Sequence, residues 1–163
     1  MTGGVGDLQR VDAVLSGLAV ATLLLLHFLF RPTLAGFSAA PDLLVGGLLL
    51  AALRLRAGHA ASLGFVLGVL DGAMALGNPG TYAFVLLTIS FAAATSRDLL
   101  FADARFFVAV YLFVGTWLAR TTLSLLGTTS PDVLAVVGGA LLTAAVTTVV
   151  CFVVDSLTSS ALR

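Results

Sequence analysis

The stretch "GFVLGVLDGAMALGNPG", residues 64–80, decides the class of this protein, because it places one aspartate inside an otherwise apolar helix. The rest of the chain is similar: 60% of its 163 residues are hydrophobic and only 10% are charged. A soluble domain carries roughly 25% charged residues, since its surface faces water. The apolar surface of this chain must instead face lipid. We therefore expect an integral membrane protein, and the presence of the charged Asp71 within one of its apolar helices needs an explanation.

Six apolar segments predict an all-α bundle of six transmembrane helices that forms a single membrane domain over residues 1–163. A spanning helix needs about 20 mostly apolar residues. The second segment is the shortest, and Arg54 and Arg56 must snorkel to complete its crossing. Five spans with a re-entrant second segment are therefore the alternative. The predicted helices cover residues 11–30, 42–56, 60–77, 81–96, 105–127 and 132–157.

Residues that start helices and form turns separate these segments. Pro41 and Asp42 open the second helix, and a Pro-Asp pair ending at Asp132 opens the sixth. An aspartate at this position accepts hydrogen bonds from free amides and favours the positive end of the helix dipole. Asn78, Pro79 and Gly80 form the loop between the third and fourth helices.

The arginines predict the orientation of the chain. Short cytoplasmic loops of membrane proteins carry an excess of basic residues. With six spans, one side of the membrane receives only Arg31, and Arg120 lies within a helix. Both termini are therefore expected in the cytoplasm, on the side that receives Arg10, Arg54, Arg56, Arg97, Arg105 and Arg163.

Two opposite charges are expected at the same depth in the membrane. Asp71 lies six residues before the predicted end of its helix and Arg120 seven before the end of its own, about 9–10 Å in each case. An unpaired charge at the centre of a helix costs about 2.5–3.5 kcal/mol on insertion scales. We therefore expect a buried ion pair between Asp71 and Arg120. The alternatives are that Asp71 reaches the headgroup layer or a backbone amide, or that it binds a transported cation or proton.

Small residues four apart form a face on the third helix. Gly64, Gly68 and Gly72 lie on one side and would let a neighbouring helix approach closely. Similar faces occur on the first helix (Ala13, Gly17 and Ala21) and on the sixth (Ala135, Gly139 and Thr143). Packing within the bundle is the expected use of most of these faces, and contact with a partner's helix is the alternative.

No arrangement of residues predicts catalysis, metal binding or a cofactor. His27 and His59 are expected on opposite sides of the membrane, so they cannot share a metal ion. Ser62 and Ser90 have no base within their helices. The glycine-containing stretches lack a phosphate-loop ending, and no basic block suggests nucleic acid. The expected function is therefore not enzymatic.

The central part of the chain resembles the rod shape-determining protein MreD family. That family has a Pro-Asp-Leu-Leu helix start followed by a Gly-Phe-Leu-Leu-Gly-Leu-x-x-Asp pattern. The resemblance covers about residues 40 to 90, and Gly80 and Tyr82 fit it more loosely. The matching residues are Pro41, Asp42, Leu43, Leu44, Gly64, Phe65, Leu67, Gly68, Leu70 and Asp71.

The resemblance implies a multi-pass protein of the bacterial inner membrane without catalytic activity. It implies that the chain binds MreC, a bitopic protein with a large periplasmic part. It also implies indirect association with RodA, a class B penicillin-binding protein, RodZ and MreB in the elongation machinery that makes peptidoglycan and sets cell shape. A homodimer is included among the expected assemblies.

The family is also thought to be similar in fold to the substrate-binding subunits of energy-coupling-factor vitamin transporters. Such a subunit is the alternative function. It would need a polar or aromatic pocket near the outer face, to which Trp117, Tyr111 and Tyr82 could contribute.

Overall fold

A computed structural model describes residues 3–34, 40–75, 78–97, 105–127 and 132–160. No strand occurs in these residues, so the predicted all-helical class is confirmed. Four helices are long and apolar enough to cross a membrane, whereas the apolar parts of the first two are shorter. The six helices are α1 (Gly3–Leu34), α2 (Leu43–Ala52), α3 (Ala57–Met74), α4 (Pro79–Ser96), α5 (Arg105–Gly127) and α6 (Val133–Ser160).

Most helix bounds lie close to those predicted. α5 has the predicted bounds, and α4 and α6 differ from theirs by at most three residues. α1 is longer than predicted at both ends. α3 begins and ends earlier than predicted, and residues 76 and 77 of its predicted last turn lie outside the described residues.

α2 is shorter than predicted, because it ends at Ala52 rather than at Arg56. The Arg97 guanidinium explains where it ends. Its Nη1 donates hydrogen bonds to the carbonyl oxygens of Leu53 and Leu55, at 3.1 and 2.9 Å. These bonds satisfy carbonyls that leave the helix, as a basic side chain at a helix C-terminus commonly does. The ten residues of α2 span about 15 Å, half of the roughly 30 Å hydrocarbon core of a bilayer.

α2 forms the centre of the bundle, and all ten of its residues are buried. Gly46 lies directly against Cys151 of α6, while Gly47 allows the side chain of Leu23 on α1 to approach. Leu49 fills the space beside a glycine of α5. The first helix, the last helix and the fifth therefore all pack on this one short helix.

The other five helices expose large apolar side chains. Such a surface is expected of helices that face lipid, because water would penalise it. No described residue of α2 belongs to this set. This exposed apolar surface, together with the four helices that are long enough to cross a membrane, marks the chain as a membrane protein. The most exposed examples are Leu25, Leu29, Phe84, Phe106, Leu134 and Val149.

The glycine face of α3 packs against α4 within the same chain. A Cβ added at Gly64 would lie 2.5 Å from the carbonyl oxygen of Leu86, and one at Gly68 would lie 2.5 Å from Ala83 Cα. At Gly72 it would lie 2.7 Å from the Cα of the proline that begins α4. This face is therefore used for internal packing, and only glycine allows the backbones to be this close.

The glycines in the small-residue faces of α1 and α6 have different surroundings from those of α3. A Cβ added at Gly17 of α1 or at Gly139 of α6 would meet nothing within 4 Å. Thr143, one turn after Gly139, does face the interior. Internal packing was expected of most of these faces; within the described residues it is seen on the α3 face and not at Gly17 or Gly139.

Candidate functional site

His27 of α1 joins two aspartates from two other helices. Its Nε2 lies 3.4 Å from Oδ1 of Asp71 on α3, and its Nδ1 lies 3.9 Å from Oδ1 of Asp42, the residue that begins α2. All three side chains are largely buried, with 13% of His27, 7% of Asp42 and 12% of Asp71 exposed. We call these residues, together with Arg120, the aspartate–histidine cluster.

The hydrogen bonds assign a tautomer to His27. The backbone N–H of Leu44 donates to Nδ1 over 3.3 Å, so this nitrogen must be an acceptor. In a neutral imidazole the hydrogen then sits on Nε2, which donates to the carboxylate of Asp71. Both bonds are at the long end of the usual range. The histidine therefore connects the first turn of α2 to α3.

Asp42 anchors the start of α2 to two other helices, α5 and α6. Its Oδ1 accepts a hydrogen bond from the Val45 amide at 3.2 Å, which makes it the N-cap of α2. Its own backbone N–H donates to the hydroxyl of Thr147 on α6, at 2.8 Å. Its Oδ2 lies 3.3 Å from Nε of Arg120 on α5. Because α2 is short, this anchoring point lies inside the bundle rather than at its end.

Arg120 has a different carboxylate partner from the one expected. The structure pairs it with Asp42, whereas Asp71 lies against His27. Counting residues along α3 and α5 compared the depths of only two helices. α2 starts at the same level and brings its own carboxylate there. The Arg120 side chain is 42% exposed, so this ion pair is only partly shielded from its surroundings.

Asp71 is buried, with 8% of its surface exposed. It does not extend out of the bundle. The next residue, Gly72, packs against the start of α4. This contact holds the last turn of α3, and with it Asp71, in position.

The loop between α3 and α4 positions that last turn. Asn78 is the N-cap of α4, and its side-chain oxygen accepts a hydrogen bond from the amide of Gly80 at 3.0 Å. Pro79 occupies the first helical position, where its missing N–H costs nothing. These residues act in the connection and do not contact the aspartate–histidine cluster in the hydrogen bonds described.

Sequence analysis missed the role of His27. The feature that could have identified this role is the position of His27 seven residues before the end of α1, a helix that runs in the same direction as α3. A histidine in an apolar helix has no obvious partner in sequence, because its partners lie 15 and 44 residues away. Only the packing of α1 beside α2 brings the three side chains together.

The arrangement can hold helices together but does not converge on a ligand. The Asp71 carboxylate accepts from Nε2, and the Asp42 carboxylate lies 3.9 Å from the other ring nitrogen, so both carboxylates face His27 rather than a common empty point. Among the described residues, no group of three or more His, Cys or Asp side chains is placed to hold a metal ion. The cluster therefore acts as a polar joint between α1, α2, α3 and α5, with α6 added through Thr147.

Comparison with known proteins adds no relative: no family model, no curated protein and no solved structure matches the chain.

Proposed function

We propose that this chain is a non-catalytic membrane scaffold that holds the single membrane helix of a bitopic cell-wall protein, as its resemblance to the MreD family implies. One observation carries the proposal. Asp42 and Asp71, the two aspartates of the resembled motif, are 29 residues apart in sequence, and both contact His27. The residues that define the resemblance thus form one buried joint of the fold.

The interior of the bundle supports a scaffold. Its polar groups bind one another across four helices, and the described side chains around α2 are tightly packed. A rigid bundle with apolar outer faces can present a fixed surface to another membrane helix. Gly17 of α1 and Gly139 of α6 offer open small-residue positions, at which a partner's helix can approach closely.

In this proposal the partner is MreC, and the complex belongs to the elongation machinery of the bacterial inner membrane. RodA, a class B penicillin-binding protein, RodZ and MreB associate indirectly. The chain crosses the membrane six times with both termini in the cytoplasm, and α2 crosses together with the connecting residues on either side of it. The positions of the arginines support this orientation.

The proposal is tested by affinity purification of the tagged full chain from its native membrane in mild detergent. We expect MreC to be recovered with the wild-type chain. Gly17→Leu or Gly139→Leu should lower that recovery without lowering the yield of the chain itself, because the new side chain fills the open position. Ala145→Leu, an exposed position elsewhere on α6, is the matched control and should behave as wild type.

The same experiment tests the buried joint. Asp71→Ala removes the acceptor of the His27 Nε2–H and should lower MreC recovery, because α1 loses a contact to α3. Asp132→Ala removes an exposed carboxylate at the start of α6 and should leave recovery unchanged. Failure to recover MreC with the wild-type chain, in detergent and after cross-linking in the membrane, would overturn the scaffold function.

Recovery of an ATPase module and a coupling subunit would instead support the vitamin-transporter alternative. The structure offers that alternative little, because the aromatic residues that it needs are not gathered. Tyr111 lines an apolar groove, whereas Tyr82 packs against Gly72 of α3. Scaffold and transporter therefore predict different co-purified proteins from the same membrane.

A further inference from the structure

A groove runs between α4 and α5, with Leu49 of α2 as its floor. Its volume is about 380 Å³. The side chains that line it are almost all apolar, and Val114 and Leu118 on its rim are exposed, so the groove opens sideways onto the lipid-facing surface. The bundle thus leaves a cleft where α4 and α5 separate, in contrast to the close packing of α3 on α4.

The length of the groove matches one leaflet of a bilayer. On α5 it extends from Phe107 to Leu118, which is eleven residues or about 16 Å. Half of the hydrocarbon core measures about 15 Å. The groove begins where α4 ends and α5 starts and stops near the middle of both helices. It therefore spans the leaflet on the side of Arg97.

Two apolar occupants can be compared with the groove. A helix about 10 Å across occupies roughly 1,300 Å³ over a length of 16 Å, so most of a partner's helix would lie outside the groove. A single hydrocarbon chain is far thinner and fits. The groove therefore suits an acyl chain, and a partner's helix could insert no more than one row of side chains.

Polar groups occur only at the arginine-rich end. Ser96 and Tyr111 line the groove there, and the Tyr111 hydroxyl is buried without a hydrogen-bond partner in the described part of the chain. Arg97 directly follows Ser96 in the chain. Its Nη1 donates to the carbonyls of Leu53 and Leu55, and Leu53 lies one helical turn beyond Leu49, the floor of the groove.

We propose that the groove binds one acyl chain of an anionic phospholipid, with the phosphate at Arg97. The positive charge at one end and the apolar channel behind it complement the two parts of such a lipid. This inference is independent of the scaffold function, because it concerns a different surface from the open glycines of α1 and α6.

Native mass spectrometry of the purified full chain tests the proposal with phosphatidylglycerol and phosphatidylcholine as probes. We expect the wild type to retain phosphatidylglycerol about fivefold better, the preference that one arginine near a membrane surface supplies. Arg97→Gln should reduce this preference to near unity. Glutamine can still donate to the carbonyls that end α2, so the fold should survive.

A second pair of variants tests the groove itself. Ala92 lines the groove and is exposed, so Ala92→Phe should fill it from the wall and abolish retention of both lipids. Ala145→Phe places the same side chain on exposed α6 outside the groove and should retain them as wild type does. Unchanged retention in Ala92→Phe would overturn the site. Equal retention of the two lipids by the wild type would overturn its preference for an anionic headgroup.

Discussion

Glycines with the same spacing have opposite surroundings in two regions of this molecule. Gly64 and Gly68 of α3 touch the backbone of α4, so closely that a single methyl group would collide with it. At Gly17 of α1 and Gly139 of α6, no described residue comes within 4 Å of an added Cβ. All four belong to patterns of small residues four apart, which in membrane helices permit close approach.

The difference shows what such a pattern means. Spacing fixes which residues share a face of a helix, but the partner is fixed by the rest of the fold. Only four residues, 75–78, separate α3 from α4, so the two helices must pack as neighbours. α1 and α6 instead direct other residues toward α2 and leave these glycines outside. A small-residue face without a neighbour in its own chain is available to another chain or to lipid.

The largest effect is expected when the α3–α4 contact is broken. Gly68→Ala should lower the free energy of unfolding by about 3 kcal/mol, because the added methyl group meets backbone atoms that cannot move alone. The melting temperature in detergent, followed by loss of tag fluorescence after heating, should fall by roughly 10 °C. A change below about 2 °C would show that α4 is not held as close as 2.5 Å to this residue.

An intermediate effect is expected at Gly46, where α2 meets α6. A methyl group there would collide with the side chains of Cys151 and Thr147 rather than with backbone. Side chains can shift, so Gly46→Ala should cost only about 1–2 kcal/mol in the same melting assay. Adding Cys151→Ala should recover part of the loss, because it removes one of the two obstacles. Additive losses in the double variant would contradict the contact.

The smallest effect, with the opposite sign, is expected at the open glycines. Gly139→Ala meets nothing within 4 Å and replaces a poor helix former by a good one. The helix should gain up to about 1 kcal/mol, and the melting temperature should stay level or rise slightly. Gly17→Ala is the companion variant on α1. A clear fall in either would mean that a neighbour, such as a second copy of the chain, packs there in detergent.

Hydropathy predicted the helices well and α2 poorly, for a physical reason. Long apolar runs between turn residues identify spanning helices, and α5 was predicted to the residue. The run that includes Leu43–Ala52 is equally apolar, but it belongs to a helix buried by protein on all sides. Hydropathy measures only exclusion from water and does not distinguish protein from lipid. The end of α2 depends on Arg97, which lies more than 40 residues later.

The site was predicted in part. Asp71 was identified because a charge inside an apolar helix requires a partner, and Asp42 because it stands before a helix. Their connection through His27 could not be derived, since it depends on the short length of α2 and on how α1 packs beside it. The pairing of Arg120 with Asp42 has the same cause. Each charged residue was visible in the sequence, and only the choice of partner required the fold.

The enclosed position of α2 also has a consequence for biosynthesis. The ribosome completes α2 before α5 and α6, which carry two of its partners: Asp42 finds its ionic partner 78 residues later in Arg120 and its hydroxyl acceptor 105 residues later in Thr147. In a nascent chain that ends before α6, Asp42 cannot form both of these contacts. The central helix of the finished protein is therefore among the last to reach its final position, and the C-terminal half of the chain must be inserted before the interior can close.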